Sequence, residues 1–168
     1  MNIKESVKSQ YHAALDMLEQ TIVRCPENIW NHPEHKNRFW HIAYHAVFYA
    51  HLYLHPTEED FKTWEHHRKD YQFLGRVHYP PHHEPDTSEP YSKEEVLAYL
   101  KFCREQVNPL VDSLDMETES GFSWLPFGKL EHQFYNIRHI QQHTGELAER
   151  IGTMENIEIE WVGMRKSK

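Results

Sequence analysis

Apolar residues at the start of the chain recur at helical spacing: Val7, Tyr11, Ala14, Leu15, Leu18 and Ile22. That period predicts an amphipathic helix from about Ile3 to about Arg24. Cys25-Pro26 ends it, because the residue before a proline is pushed out of helical backbone. A loop, CPENIWNHPEHKN, follows. The pattern then changes: NRFWHIAYHAVFYAHLYL, about Asn37 to Leu54, is apolar on two sides. His41, His45, Phe48, Tyr49 and Leu52 form one stripe, and Trp40, Ala43, Val47, Ala50 and Leu54 lie roughly opposite. Such a helix is central in its fold or sits at a subunit interface.

His55-Pro56 closes the second helix, and a long segment to Tyr91 carries aromatic, charged and proline-rich pieces. Long connections are often lids or rims of functional sites. One short helix is expected near Thr57 to Leu74, with irregular chain beyond it. Ser92 and Glu95 then form an S-x-x-E capping box opening a third helix, SKEEVLAYLKFCREQVNPLVDSL. Its apolar set is Val96, Leu97, Leu100, Cys103 and Val107, and Pro109 is expected to kink or interrupt it. The fourth helix falls within SWLPFGKLEHQFYNIRHIQQHTGELAERIG, with Pro126 near its first turn and Gly152 as its stop. IEIEW, near Ile157, alternates as a strand does, but it is short and terminal. The whole reads as a single all-α domain over residues 1–168, a four-helix bundle with a long connection between its second and third helices.

Composition narrows the partners. The formal net charge is -8 and the basic residues are scattered, which argues against nucleic acid and against an anionic membrane surface. No run is long enough to span a bilayer, and MNIKESVKSQ carries no apolar leader pattern. With two cysteines, Cys25 and Cys103, the expectation is a cytoplasmic protein with reduced thiols. Aromatic residues make up 13% of the chain and supply much of its apolar volume.

Fifteen histidines are the compositional anomaly. His32, His35, His66, His67, His78, His82 and His83 fall in loops and read as solvated. Pairs at four-residue spacing remain at His41 and His45, His51 and His55, and His139 and His143. His51 points away from the His45 stripe and His55 ends a helix, so that pair is set aside. His139 and His143, in RHIQQHTGEL, present two imidazoles to one point. Alone they fit a polar core as well as a metal. His45, on a helix that can face the fourth, supplies a third imidazole. Three protein ligands leave an open coordination position, the pattern of a catalytic rather than a structural metal site. Glu146 is a candidate to orient a ligand ring or accept a proton. His41 is a candidate fourth ligand, proton shuttle or ordinary core-edge residue. Gln142, His132 and Tyr135 lie near the same face. Neither cysteine has a neighbour that would make it a nucleophile. Imidazole donors suit zinc first and nickel second, with iron and copper also open.

FWHIAYHAVFYAHLYL, the capped YSKEEVLAYLKFCREQV and RHIQQHTGEL together resemble the DinB-like superfamily of bacterial four-helix-bundle proteins, over nearly the whole chain. The resemblance implies a divalent metal held by one histidine of the second helix and the pair of the last, here His45, His139 and His143. It implies metal-dependent chemistry on low-molecular-weight thiols, such as S-transferase or isomerase activity, and a homodimer. Gln142 stands where the family often has a further histidine. A metal-dependent hydrolase and a non-enzymatic metal- or ligand-binding dimer are the alternatives.

Overall fold

The computed structural model describes residues 2–165. Its elements are α1 (Ile3–Arg24), a single turn α2 (Glu27–Trp30), α3 (Phe39–Tyr53), α4 (Lys93–Ser113) and α5 (Lys129–Glu155), with no strand among the described residues. The four long helices make an all-helical bundle in which α1 and α3 each pack against both α4 and α5. Among the described residues no helix is long and apolar enough to cross a membrane.

Local chemistry sets the boundaries. Asn2 caps α1 by accepting from the Glu5 amide, and Pro26 stops it. Ser92 and Glu95 form the reciprocal capping box of α4. α3 is buried almost all round, as its two apolar sides predict, and Trp40, Ile42, Ala43, Tyr44 and Val47 are all fully buried. At the centre of the bundle the Tyr11 hydroxyl donates to Gln133 Oε1 at 2.9 Å and accepts from Asn136 Nδ2 at 2.9 Å. Asn136 also donates to the Ala50 carbonyl at 3.1 Å, so one polar chain ties α1, α3 and α5 together.

Several expectations need correction. Residues 57–74 form turns and bends rather than a short helix. Trp64 stacks on Tyr99 of α4 with ring centroids 4.7 Å apart, and Tyr71 packs against Trp40, so the aromatic side chains are buried without helical backbone. Pro109 neither ends nor interrupts α4. It lies on the solvated face, where the carbonyl of exposed Glu105, four residues back, can bond to water instead. Pro126 sits before α5, not in its first turn, within a loop stapled by Ser120. The Ser120 hydroxyl donates to Leu125 O at 2.7 Å, and the Lys129 amide donates to Thr118 O at 2.7 Å. α5 also runs past Gly152 and stops at Asn156, which adopts the left-handed conformation (φ 54°) and donates its amide to Gly152 O at 2.9 Å. Asparagine is the usual substitute for glycine at that position. IEIEW, short and terminal, forms no strand, in keeping with the all-α reading. It lies along α1, where Gln20 accepts from the Glu160 amide at 3.0 Å and Arg24 donates to Glu158 O at 2.6 Å.

The long connection from α3 to α4 is an ordered cover. Arg68 lies over the Tyr91 ring at 4.2 Å and donates its backbone amide to the Tyr91 hydroxyl at 2.8 Å. The Tyr91 hydroxyl donates in turn to His66 O at 2.6 Å. These contacts carry residues 71 and 72 onto the histidine-bearing half of α3.

Candidate metal centre

His45 projects from α3, and His139 and His143 from successive turns of α5, onto a common point. One ligand nitrogen from each can be chosen so that all three lie within 4.8 Å of one another. The Nε2 atoms of His45 and His139 are 3.1 Å apart, and the ring centroids of His139 and His143 are 4.6 Å apart. In a tetrahedral site with bonds of about 2.0–2.1 Å, two ligand nitrogens sit about 3.3 Å from each other.

The outer nitrogens fix the tautomers. His45 Nδ1–H donates to the Gln72 backbone carbonyl at 2.6 Å, and a carbonyl can only accept, so the Nε2 lone pair faces the common point. His143 Nδ1 lies 3.2 Å from Glu146 Oε2, again leaving Nε2 free to coordinate. His139 Nδ1 is buried and has no hydrogen-bond partner among the described residues. Arg150 approaches the Glu146 carboxylate at 3.6 Å and helps hold it in place. Burial, together with neighbouring His143 and His139, pushes the basicity of His45 well down. Burial, with His143 close by, pushes His139 down to about 4. His45 and His139 are therefore neutral at physiological pH and need no deprotonation before binding a cation. The 3.1 Å approach of His45 and His139 also suits a hydrogen bond between neutral rings, and the three-imidazole donor set could hold a divalent metal.

Glu146 thus stands where it can orient His143, as the sequence suggested. Glu146→Ala is expected to weaken metal binding by about 10- to 100-fold with helix content unchanged, read by competition against a chelating dye. An unchanged affinity would remove Glu146 from the site.

His41 is not brought to the cluster. Its Nε2–H donates to the Tyr71 backbone carbonyl at 2.9 Å, so it anchors the covering segment, and burial lowers its pKa. Successive carbonyls, of Tyr71 and Gln72, therefore hold the two histidines of one α3 stripe. His51 and His55 also serve structure: His51 pairs with the Tyr99 hydroxyl at 3.1 Å, and His55 Nδ1–H donates to His51 O at 2.9 Å. His132 is fully buried between Tyr53 and Phe122, away from the cluster, while Gln142 is exposed. Some loop histidines depart from the solvated reading, as His32 and His35 are half-buried. His67 is half-buried and bonds through Nδ1 to the Tyr44 hydroxyl at 2.6 Å. Both cysteines are buried and free, and burial pushes each thiol up to about 12, which suits core residues rather than nucleophiles.

A cavity of about 700 Å³ opens beside the cluster, and His45 and His139 form part of its wall. Tyr49 packs against both rings, with centroids 4.7 Å from His45 and 5.5 Å from His139. Tyr79 reaches the wall from the covering segment. Its hydroxyl bonds to buried Asp70, whose other carboxylate oxygen lies 3.0 Å from His83 Nε2. Sequence reasoning missed this clasp, since Asp70, Tyr79 and His83 share no helical period. It also missed Gln72, which acts through its backbone.

Comparison of the chain with protein-family models, curated proteins and solved structures finds no match to any of them.

Proposed function

We propose that this protein is a metal-dependent enzyme of the DinB-like type, working through His45, His139 and His143 on a low-molecular-weight thiol, as an S-transferase. The observation that carries the reading is the junction of the histidine cluster with the cavity: two of the three imidazoles are also cavity wall. A closed structural site has no such opening. Zinc is the first choice of metal and nickel the second, from the all-imidazole donor set. A metal there supplies a Lewis acid that lowers the pKa of a coordinated thiol and so makes a nucleophile at neutral pH.

The chain's own groups hold that arrangement. The Gln72 carbonyl and the Glu146 carboxylate keep the Nδ1 protons of His45 and His143 in place, so that both Nε2 atoms turn inward. The Tyr49 ring packs against His45 and His139 on the cavity side. Burial pushes its phenol upward, so the hydroxyl stays protonated.

Hydrolysis is the weaker reading because the two candidate bases are engaged elsewhere. His41 is committed to Tyr71 O and Glu146 to His143 and Arg150, and neither lines the cavity. A thiol needs less help than water, since its pKa starts far lower. Metal analysis of tag-free protein, followed by turnover of an alkyl halide with and without added thiols, tests the proposal. Stoichiometric metal and thiol-dependent turnover are expected. Turnover indifferent to thiol overturns the transferase reading.

A further inference from the structure

The walls of the cavity beside the cluster are chemically one-sided. Tyr49 and Tyr53 come from α3, Phe61, Phe73 and Tyr79 from the covering segment, and Trp124 from the loop before α5. The Trp124 indole N–H donates to the Tyr53 hydroxyl at 3.4 Å, which joins the loop to the helix across the cavity rim. With Phe48 of α3 and Tyr135 of α5, eight phenylalanine, tyrosine and tryptophan rings line the cavity and make a surface that favours stacked and edge-on contact with another ring.

Charge is as one-sided as shape. Among the described residues lining the cavity there is no lysine or arginine, and Glu58 contributes a carboxylate. An anionic substituent on the part of a ligand that lies away from His45 and His139 would give up water, meet aromatic faces of negative potential and gain no lysine or arginine partner from the walls. A neutral or cationic molecule suffers none of this, and a cation gains from both the rings and Glu58.

We propose that the substrate held in this cavity is an aromatic small molecule bearing no negative charge, its ring stacked among Tyr49, Tyr53, Phe61 and Trp124 and its donor atom turned toward His45 and His139. The proposal rests on the metal-site reading and adds to it the class of substrate. It separates the protein from enzymes whose thiol cosubstrates are polyanionic, since those need lysine or arginine on the wall. A volume of about 700 Å³ accommodates a ring with substituents rather than a bare small thiol.

Calorimetric titration of zinc-loaded and of metal-stripped protein with three probes tests this: 2-phenylethanethiol, 2-mercaptoethanol and 4-(2-mercaptoethyl)benzoate. The phenyl probe is expected to bind at least about tenfold more tightly than mercaptoethanol, because only it buries a ring. The benzoate is expected to bind at least about fivefold more weakly than the phenyl probe. In Glu58→Lys, a substitution at an exposed position, that penalty should shrink to about twofold or less. Zinc-loaded protein that binds all three probes alike, or prefers the benzoate, overturns the substrate class and leaves the metal site standing. Protein that takes up no zinc yet keeps the phenyl preference overturns the metal site and supports the cavity's selectivity.

Discussion

Protein carrying His139→Ala is expected to lose bound metal, with an affinity more than about 100-fold below that of the unaltered chain and no thiol-dependent turnover. His139 Nε2 stands 3.1 Å from His45 Nε2 and its ring adjoins that of His143, so its removal leaves only two protein donors. Loss of an outer hydrogen-bond partner costs about 10- to 100-fold, and loss of a donor atom exceeds that. The fold should survive, because among the described residues the His139 ring makes no hydrogen bond to the backbone, and its buried Nδ1 has no partner to strand. His45→Ala and His143→Ala should behave alike. His41→Ala should keep its metal, since that imidazole is committed to the Tyr71 carbonyl. Elemental analysis after dialysis reads all four. Metal retained by His139→Ala at the wild-type level would sink the three-histidine assignment.

The His45, His139 and His143 cluster was legible in the sequence because helical spacing is a strong constraint. Four residues on α5 return a side chain to the same face, and α3 offers a stripe that meets it. Helix boundaries were legible where punctuation is local: Pro26 after α1 and the Ser92–Glu95 box before α4. They were not legible where tertiary contacts decide. Residues 57–74 carry enough aromatic side chains to suggest a helix, yet Trp64 and Tyr71 bury themselves from turns because α4 and α3 already provide the surface. Pro109 looked like a breaker, but its missing hydrogen bond falls on the wet side of α4. The Gln72 carbonyl that sets the His45 tautomer had no sequence signal at all. Any residue supplies a carbonyl, and only the path of the covering segment places this one 2.6 Å from the ring.

The same segment explains why one α3 stripe holds histidines of different use. His41 and His45 are one turn apart and both donate to successive backbone carbonyls. Only His45 also faces α5, so only His45 has a second nitrogen aimed at other imidazoles. The spacing is therefore shared, while the role is assigned by what lies opposite.

Metal-free protein is expected to lose stability steeply as pH falls from about 6.5 toward about 4. His51 is buried against Tyr99, Phe61 and Phe102, and burial pushes its pKa down from 6.5 to about 3. His132 is buried between Tyr53 and Phe122, with Lys129 adding to the effect, and is pushed down to about 4. Both are neutral in the folded protein across this window. The unfolded chain takes up a proton at each as pH drops through 6.5, and the folded chain does not until about 3 and about 4. Stability is thus fully present above 6.5 and falls by about 1.4 kcal/mol per pH unit for each histidine below it. Together His51 and His132 remove about 3 kcal/mol per pH unit, a large share of the 5–15 kcal/mol typical of a domain. His45 and His139, also pushed down by burial, steepen the fall when no metal is bound. His132→Phe isolates one contribution. Among the described residues neither His132 nitrogen has a partner, so phenylalanine strands no hydrogen bond and suits the aromatic surroundings. Urea unfolding in chelator at pH values from about 7.5 to about 5 should show the slope shallower by about 1.4 kcal/mol per pH unit in that variant. An unchanged slope would mean that His132 takes up its proton as readily in the folded chain as in the unfolded one.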